Sequence, residues 1–142
     1  MTAEELWQAS GLRGTYQAWP FGGAPDKLAG LVIQGIKTGT CSSLTVMETN
    51  KEDIPKPGDY SVILDSKGNA VCIIQTTTAY LCPFYEVSAD HAWKEGEGDR
   101  SLDYWRRIHE EYFTEELAGI GQEFNEKIIL VCEEFRTVYI GK

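Results

Sequence analysis

"DYSVILDSKGNAVCIIQTTTAYLC", Asp59–Cys82, decides the fold class of this chain. Two runs rich in β-branched and apolar residues flank "DSKGNA". Gly68 and Asn69 tolerate positive φ, so the short connection reads as a hairpin turn. A parallel pair needs a crossover of a dozen residues or more, and no helix fits here. The pair is therefore antiparallel, and a doubly wound parallel sheet is excluded. Upstream, Pro57-Gly58-Asp59 marks the turn that enters the first of these strands.

Working outward, "TCSSLTVME" reads as a further strand, and "KIILVCEEFRTVYI" closes the chain as one or two more. "LRGTYQAWPFGG" is a loop or strand with aromatic anchors. "TAEELWQASG" is a helix, with Thr2 and Glu5 at capping-box spacing and Gly11 at its exit. "APDKLAGLVIQGIKTG" is a second helix, opened by Pro25 and Asp26 and stopped at Gly35. After a short helical turn and loop around "HAWKEGEGDRS", a firm helix carries Leu102, Trp105, Ile108 and Tyr112 on one stripe. Asp99 or Ser101 caps it, and Thr114 starts another turn at "TEELAGIG". Helices and strands segregate along the chain, so the class is α+β, a single domain over residues 1–142.

Composition narrows the function. Thirteen basic residues against 22 acidic ones give a net charge of −9. Binding to long nucleic acid draws on lysine and arginine displacing counterions. The longest basic cluster is Arg106-Arg107, so bulk DNA binding is not expected, and any ligand is small or gripped at one spot. No apolar run approaches the roughly 18–20 residues of a membrane span. The acidic N-terminus lacks a signal-peptide pattern, which places the protein in the cytoplasm. Cys41, Cys72, Cys82 and Cys132 form no Cys-x-x-Cys pair and read as small buried side chains. His91 and His109 lie 18 residues apart without ligand spacing, so neither a metal centre nor a cofactor is expected.

Three places carry candidate chemistry. Lys37 and Thr40 of "GIKTGT" follow the second helix. A lysine there can simply complement the helix carboxyl end, at about 0.3–1 kcal/mol. Held neutral by burial in a cleft, it is a base, and a neighbouring hydroxyl can then attack an acyl carbon. "HAWKEGEGDRS" offers Glu95, Glu97 and Asp99, either as a solvated loop or as a carboxylate partner for Lys37; the spacing of a calcium loop is missing. Among the aromatics, Trp105 packs on its helix stripe, whereas Trp19 and Phe21 sit in a Gly/Pro-rich loop suited to stacking on a base.

"WPFGG", "DKLAGLVIQGIKTGT", "KPGDYSVILD", "HAWKEGEGDRSLDYWRRIHEEYF" and "VCEEFRTVY" follow one another in the order of a known family. Over most of residues 19–139 the chain resembles the ASCH domains, small relatives of the PUA domain. The resemblance implies a small β-barrel of about six mostly antiparallel strands, flanked by helices, with a cleft for RNA, a nucleotide or a nucleoside. One similar branch consists of amidohydrolases that deacetylate N4-acetylcytidine. Its lysine, its threonine three residues later and the glutamate of its His-Ala-x-x-Glu stretch fall on Lys37, Thr40 and Glu95. On that reading Thr40 is the nucleophile, Lys37 its base and Glu95 the orienting partner. Gly39 offers backbone N–H groups, and Trp19, Phe21 and Asp59 complete the ligand-binding set. The alternative is a non-catalytic module that binds a nucleotide or short RNA. Two departures stand out. The glutamate and arginine that often follow the family's lysine are replaced by Thr38 to Ser42, which weakens the RNA reading. The first helix and residues 99–124 also extend beyond the compact amidohydrolases.

Overall fold

The computed structural model describes residues 1–141. Helix α1 (Ala3–Ser10) leads to strand β1 (Tyr16–Pro20), helix α2 (Pro25–Ile33), strand β2 (Gly39–Ser43) and helix α3 (Leu44–Thr49). The hairpin β3 (Tyr60–Leu64) and β4 (Ala70–Pro83) follows, then a short 3-10 turn, helices α4 (Ala89–Glu95) and α5 (Leu102–Ala118), and strand β5 (Ile129–Ile140). The class is α+β, as the hairpin requires.

The five strands form one curled sheet in the order β1-β3-β4-β5-β2. Every pairing is antiparallel except β1 on β3. The curl is a half-barrel whose two edges, β1 and β2, do not pair with each other. In the hairpin turn, the Asp65 carboxylate accepts from the backbone N–H groups of Lys67 and Asn69, and Gly68 takes φ 82°. At the other end of β3, Gly58 takes φ 96° and its N–H reaches the Thr76 carbonyl of β4.

Five strands appear where about six were expected, because the closing stretch stays one strand; the stretch read as "TCSSLTVME" keeps one strand, β2, and turns helical beyond it. The Ser43 hydroxyl accepts from the Val46 N–H and so caps α3, which turns Leu44–Thr49 helical. The closing stretch is one long strand, laddered on β4 along most of its length. The helix carrying Trp105 is capped by Ser101 and runs unbroken past Thr114, whose hydroxyl donates back to the Glu110 carbonyl instead of starting a new helix. Helix α1 has the expected capping box of Thr2 and Glu5.

Apolar side chains on both sheet faces place the helices. Val62 and Ile73 pack with Leu6 and Trp7 of α1. Ile63, Cys72, Ile74 and Phe135 pack with Leu28, Ala29 and Val32 of α2. Trp105, Phe113 and Leu117 of α5 cover Leu130 and Cys132. Cys72 and Cys132 are buried, Cys41 and Cys82 half-buried, and all four are free thiols. No helix among the described residues is long and apolar enough to cross a membrane.

Candidate active site

A buried lysine has to find a counter-charge, because an unpaired ammonium in the interior costs far more than folding can spare. Lys37 is only 1% exposed. It follows α2, where the backbone N–H groups of Ile36 and Lys37 both bond the Leu31 carbonyl and turn the chain inward. Its Nζ lies 3.3 Å from Oε1 of Glu95 and 3.4 Å from Oε2 of Glu97, and it donates to the Glu95 carbonyl as well.

Glu95 is the last residue of α4 and is equally buried. Ser88 caps the start of α4, and Gly96 ends it at φ 76°. A Cβ on Gly96 would come within 2.7 Å of the Ile36 carbonyl, so only glycine lets the end of α4 close on the approach to Lys37. The Glu95 carboxylate is surrounded by donors. Oε2 accepts from the Trp105 indole N–H at 2.7 Å and meets His91 Nε2 at 2.8 Å, while His109 Nε2 lies 3.5 Å from Oε1. His109 stacks on Trp105 with ring centroids 4.4 Å apart and uses Nδ1 on the Trp105 carbonyl. Burial by itself raises the Glu95 pKa. The Lys37 ammonium and His109 outweigh it and hold the carboxyl well below its usual range.

Two sets of metal-type donors meet here, Cys41 with His91 and Glu95, and Glu95 with Glu97 and His109. In both, Glu95 is already saturated by N–H donors, and no buried side-chain polar atom among the described residues lacks a partner. The cation in this nest is the lysine's own. Burial also pushes the Cys41 thiol well up, so it is no ready thiolate.

His109 gives the nest a pH dependence. Burial lowers its pKa, yet Glu95 and Glu97 outweigh burial and raise it above the ordinary 6.5. A raised folded-state pKa stabilises fully below the unfolded value and loses that contribution as pH climbs through the folded one. Stability should therefore decline from about pH 6.5 upward, and His109→Gln should flatten that part of a denaturant-midpoint profile. Parallel slopes in the two proteins would show that His109 is not protonated there.

The seam between β1 and β2 opens as a cleft of about 940 Å³. Trp19, Phe21, Thr40, Cys41, Asp59 and Glu133 are in its wall, with the 50–56 loop and the α5 residues Tyr112 and Glu116. Phe21 joins cleft to nest: its ring centroid lies 5.3 Å from Lys37 Nζ, and its edge meets Trp19. Five carboxylates, of Glu52, Asp53, Asp59, Glu116 and Glu133, line the cleft against the two ammonium groups of Lys51 and Lys56. That balance repels a phosphate chain and suits an uncharged ligand.

The fold thus brings Lys37 and Glu95 into contact and sets Thr40 in the wall of the cleft. Among the described residues no hydrogen bond joins the Thr40 hydroxyl to either. Trp19 and Asp59 line the cleft, Asp59 while also accepting from the Lys56 N–H. Phe21 is 4% exposed, so it forms wall more than a free stacking platform. Gly39 is not in the wall; it faces α4, where a Cβ would meet the Glu133 carbonyl at 3.2 Å and Lys94 at 3.3 Å. Glu97 touches Lys37, whereas Asp99 turns away to accept from the Ser101 N–H. Sequence reasoning set His91, His109 and Trp105 apart from the site, yet all three meet Glu95. The i, i+4 spacing of His91 and Glu95 on one helix was the available signal.

A family model described as the ASCH domain matches residues 17–139. The chain is similar to a solved ASCH domain from Lactobacillus crispatus JV V101, at 29% identity and TM-score 0.88, over 96% of this chain and 94% of that one. It is similar to protein EF3133 from Enterococcus faecalis V583, at 35% identity and TM-score 0.87, over 97% of this chain and 88% of that one. Hypothetical protein PH0355 shares the fold at 14% identity and TM-score 0.59, over 87% of this chain and 99% of that one. Among curated proteins no match was found.

Proposed function

Because this chain belongs to the ASCH domain family, with its PUA-like fold, we propose that its cleft takes a nucleoside-type ligand and hydrolyses an N-acyl group from it. The observation that carries this reading is the Lys37–Glu95 pair, held out of water directly behind Phe21 of the cleft wall. Thr40 supplies the attacking hydroxyl. Lys37 takes its proton, and the Glu95 and Glu97 carboxylates hold the ammonium that results. Glu95, fixed by Trp105 and His91, holds the amine in place. Trp19 and Phe21 give the ligand an aromatic edge, and the acidic lining favours a neutral nucleoside over an RNA chain.

N4-acetylcytidine is the substrate to try first. Purified protein should release acetate from it in a time- and enzyme-dependent way, followed by enzymatic acetate detection. An absence of turnover across a panel of N-acylated nucleosides would contradict the reading.

One observation favours a second reading, non-catalytic binding of a nucleotide or short RNA. The Lys37 ammonium is engaged on both sides by carboxylates and is not bonded to Thr40. That module would bind unmodified cytidine or short oligonucleotides with a shallow salt dependence and release nothing.

A further inference from the structure

The hydrolase reading leaves one step without an agent. An amide nitrogen departs only when it is given a proton; a triad base can return the nucleophile's proton to it, but Lys37 is held between Glu95 and Glu97 and does not line the cleft. A donor has to stand in the cleft near Thr40 without being part of the Lys37 nest.

Glu133 stands there. It is the cross-strand partner of Thr40 in the β2–β5 ladder. Directly opposed residues of an antiparallel pair project to the same face, with Cβ atoms about 4.5–5.5 Å apart. Both residues line the cleft. Glu133 is only 7% exposed, and its neighbour Glu134 points the other way, to Lys94. The Thr76 hydroxyl donates to Oε1 of Glu133. One carboxyl oxygen is thereby committed as an acceptor, and Oε2 is left to carry a proton toward the cleft. Burial raises the pKa of this carboxyl; the Thr76 hydroxyl partly opposes that, and the Asp59 carboxylate adds to it. These influences make the carboxyl easier to protonate than an ordinary glutamate, in the direction a donor needs. Glu133 touches none of Lys37, Glu95, His91 or His109 by hydrogen bond among the described residues.

Resting on the hydrolase reading, we infer that Glu133 is the general acid that protonates the leaving nitrogen. The Thr40 oxygen bonds to the acyl carbon as Lys37 accepts the hydroxyl proton. The C–N bond then breaks, and the nitrogen takes the proton from Glu133 Oε2, which leaves a carboxylate and an acyl-threonine. Water next attacks the acyl carbon and gives its proton to the Glu133 carboxylate. The Thr40 oxygen leaves and recovers a proton from Lys37. The products are the free amine and the carboxylic acid, and both side chains return to their starting states.

The test compares leaving groups. N4-acetylcytidine needs a proton on its departing nitrogen, whereas p-nitrophenyl acetate releases a stable phenolate without one. Glu133→Gln keeps the shape and an oxygen for Thr76 but carries no transferable proton. It should lower acetate release from N4-acetylcytidine by about 10²–10⁴-fold and leave the first-turnover burst of p-nitrophenolate, which precedes the Glu133-assisted deacylation, within about tenfold of the parent. An equal loss in the p-nitrophenolate burst would overturn the inference and make Glu133 a structural residue. Unchanged release from N4-acetylcytidine would overturn it while leaving the hydrolase reading intact. A parent protein that releases acetate from neither substrate would overturn the hydrolase reading, and the general acid with it.

Discussion

Lys37→Met should destabilise the protein by about 3–5 kcal/mol, the cost of removing one partner of a buried ion pair. Methionine fills a similar volume, so the loss is not that of a cavity. It comes from Glu95, which stays 1% exposed with its principal counter-charge gone. His91, His109 and the Trp105 N–H still contact the carboxylate, which keeps the cost from rising further. Urea unfolding monitored by tryptophan fluorescence measures it as a shift in midpoint at constant slope. The loss should shrink toward acid pH. The Glu95 pKa is depressed in the folded parent, so the pair's contribution is present above the ordinary carboxylate range and fades as pH falls through the folded value. A cost below about 1 kcal/mol at neutral pH, in the range of surface pairs, would mean that the pair is wet.

Thr40→Ala should behave in the opposite way, with a large effect on turnover and little on stability. The side chain is half-buried at the cleft and holds no hydrogen bond to the nest. Truncating it should therefore move stability by no more than about 0.5 kcal/mol. If its hydroxyl is the nucleophile, acetate release from N4-acetylcytidine should fall by roughly 10⁴–10⁶-fold, as when one member of a covalent triad is lost. Thr40→Ser keeps the hydroxyl and should retain measurable release. An alanine variant as active as the parent would put the attacking group elsewhere, on a water molecule.

The parts legible in the sequence are those set by local chemistry. The "DSKGNA" hairpin and the capping box of α1 rest on residues within a turn or two of one another, and each folds as read. Helix α5 forms as read, but its buried face is Trp105, His109, Phe113 and Leu117, shifted from the stripe of Leu102, Trp105, Ile108 and Tyr112. Ser43 shows the limit. Among β-branched and apolar residues its strand pattern looked continuous, but one side-chain hydrogen bond to Val46 ends the strand and starts α3. The site needed more than local signals. Lys37 and Glu95 are 58 positions apart; the residues alone offered Glu95, Glu97 or Asp99 as a partner, and only the family resemblance singled out Glu95. His91 and His109 have no metal-ligand spacing to link them, and it is a buried carboxylate, Glu95, that brings them together. Glu133 was hidden by its strand. In "VCEEF" both Cys132 and Phe135 are buried, one on each sheet face, so alternation could not tell which glutamate turns inward. The ladder with β2 decides it by placing Glu133 opposite Thr40.

The most direct measurement is acetate release from N4-acetylcytidine by the parent and by Lys37→Arg, each checked for native unfolding behaviour. Arginine keeps the positive charge for Glu95 and Glu97 but does not give up its proton. If Lys37 is the base, the arginine protein folds, keeps its counter-charge and releases acetate only at the background rate. Parent-like release by the arginine protein, or none from the parent, would contradict the account.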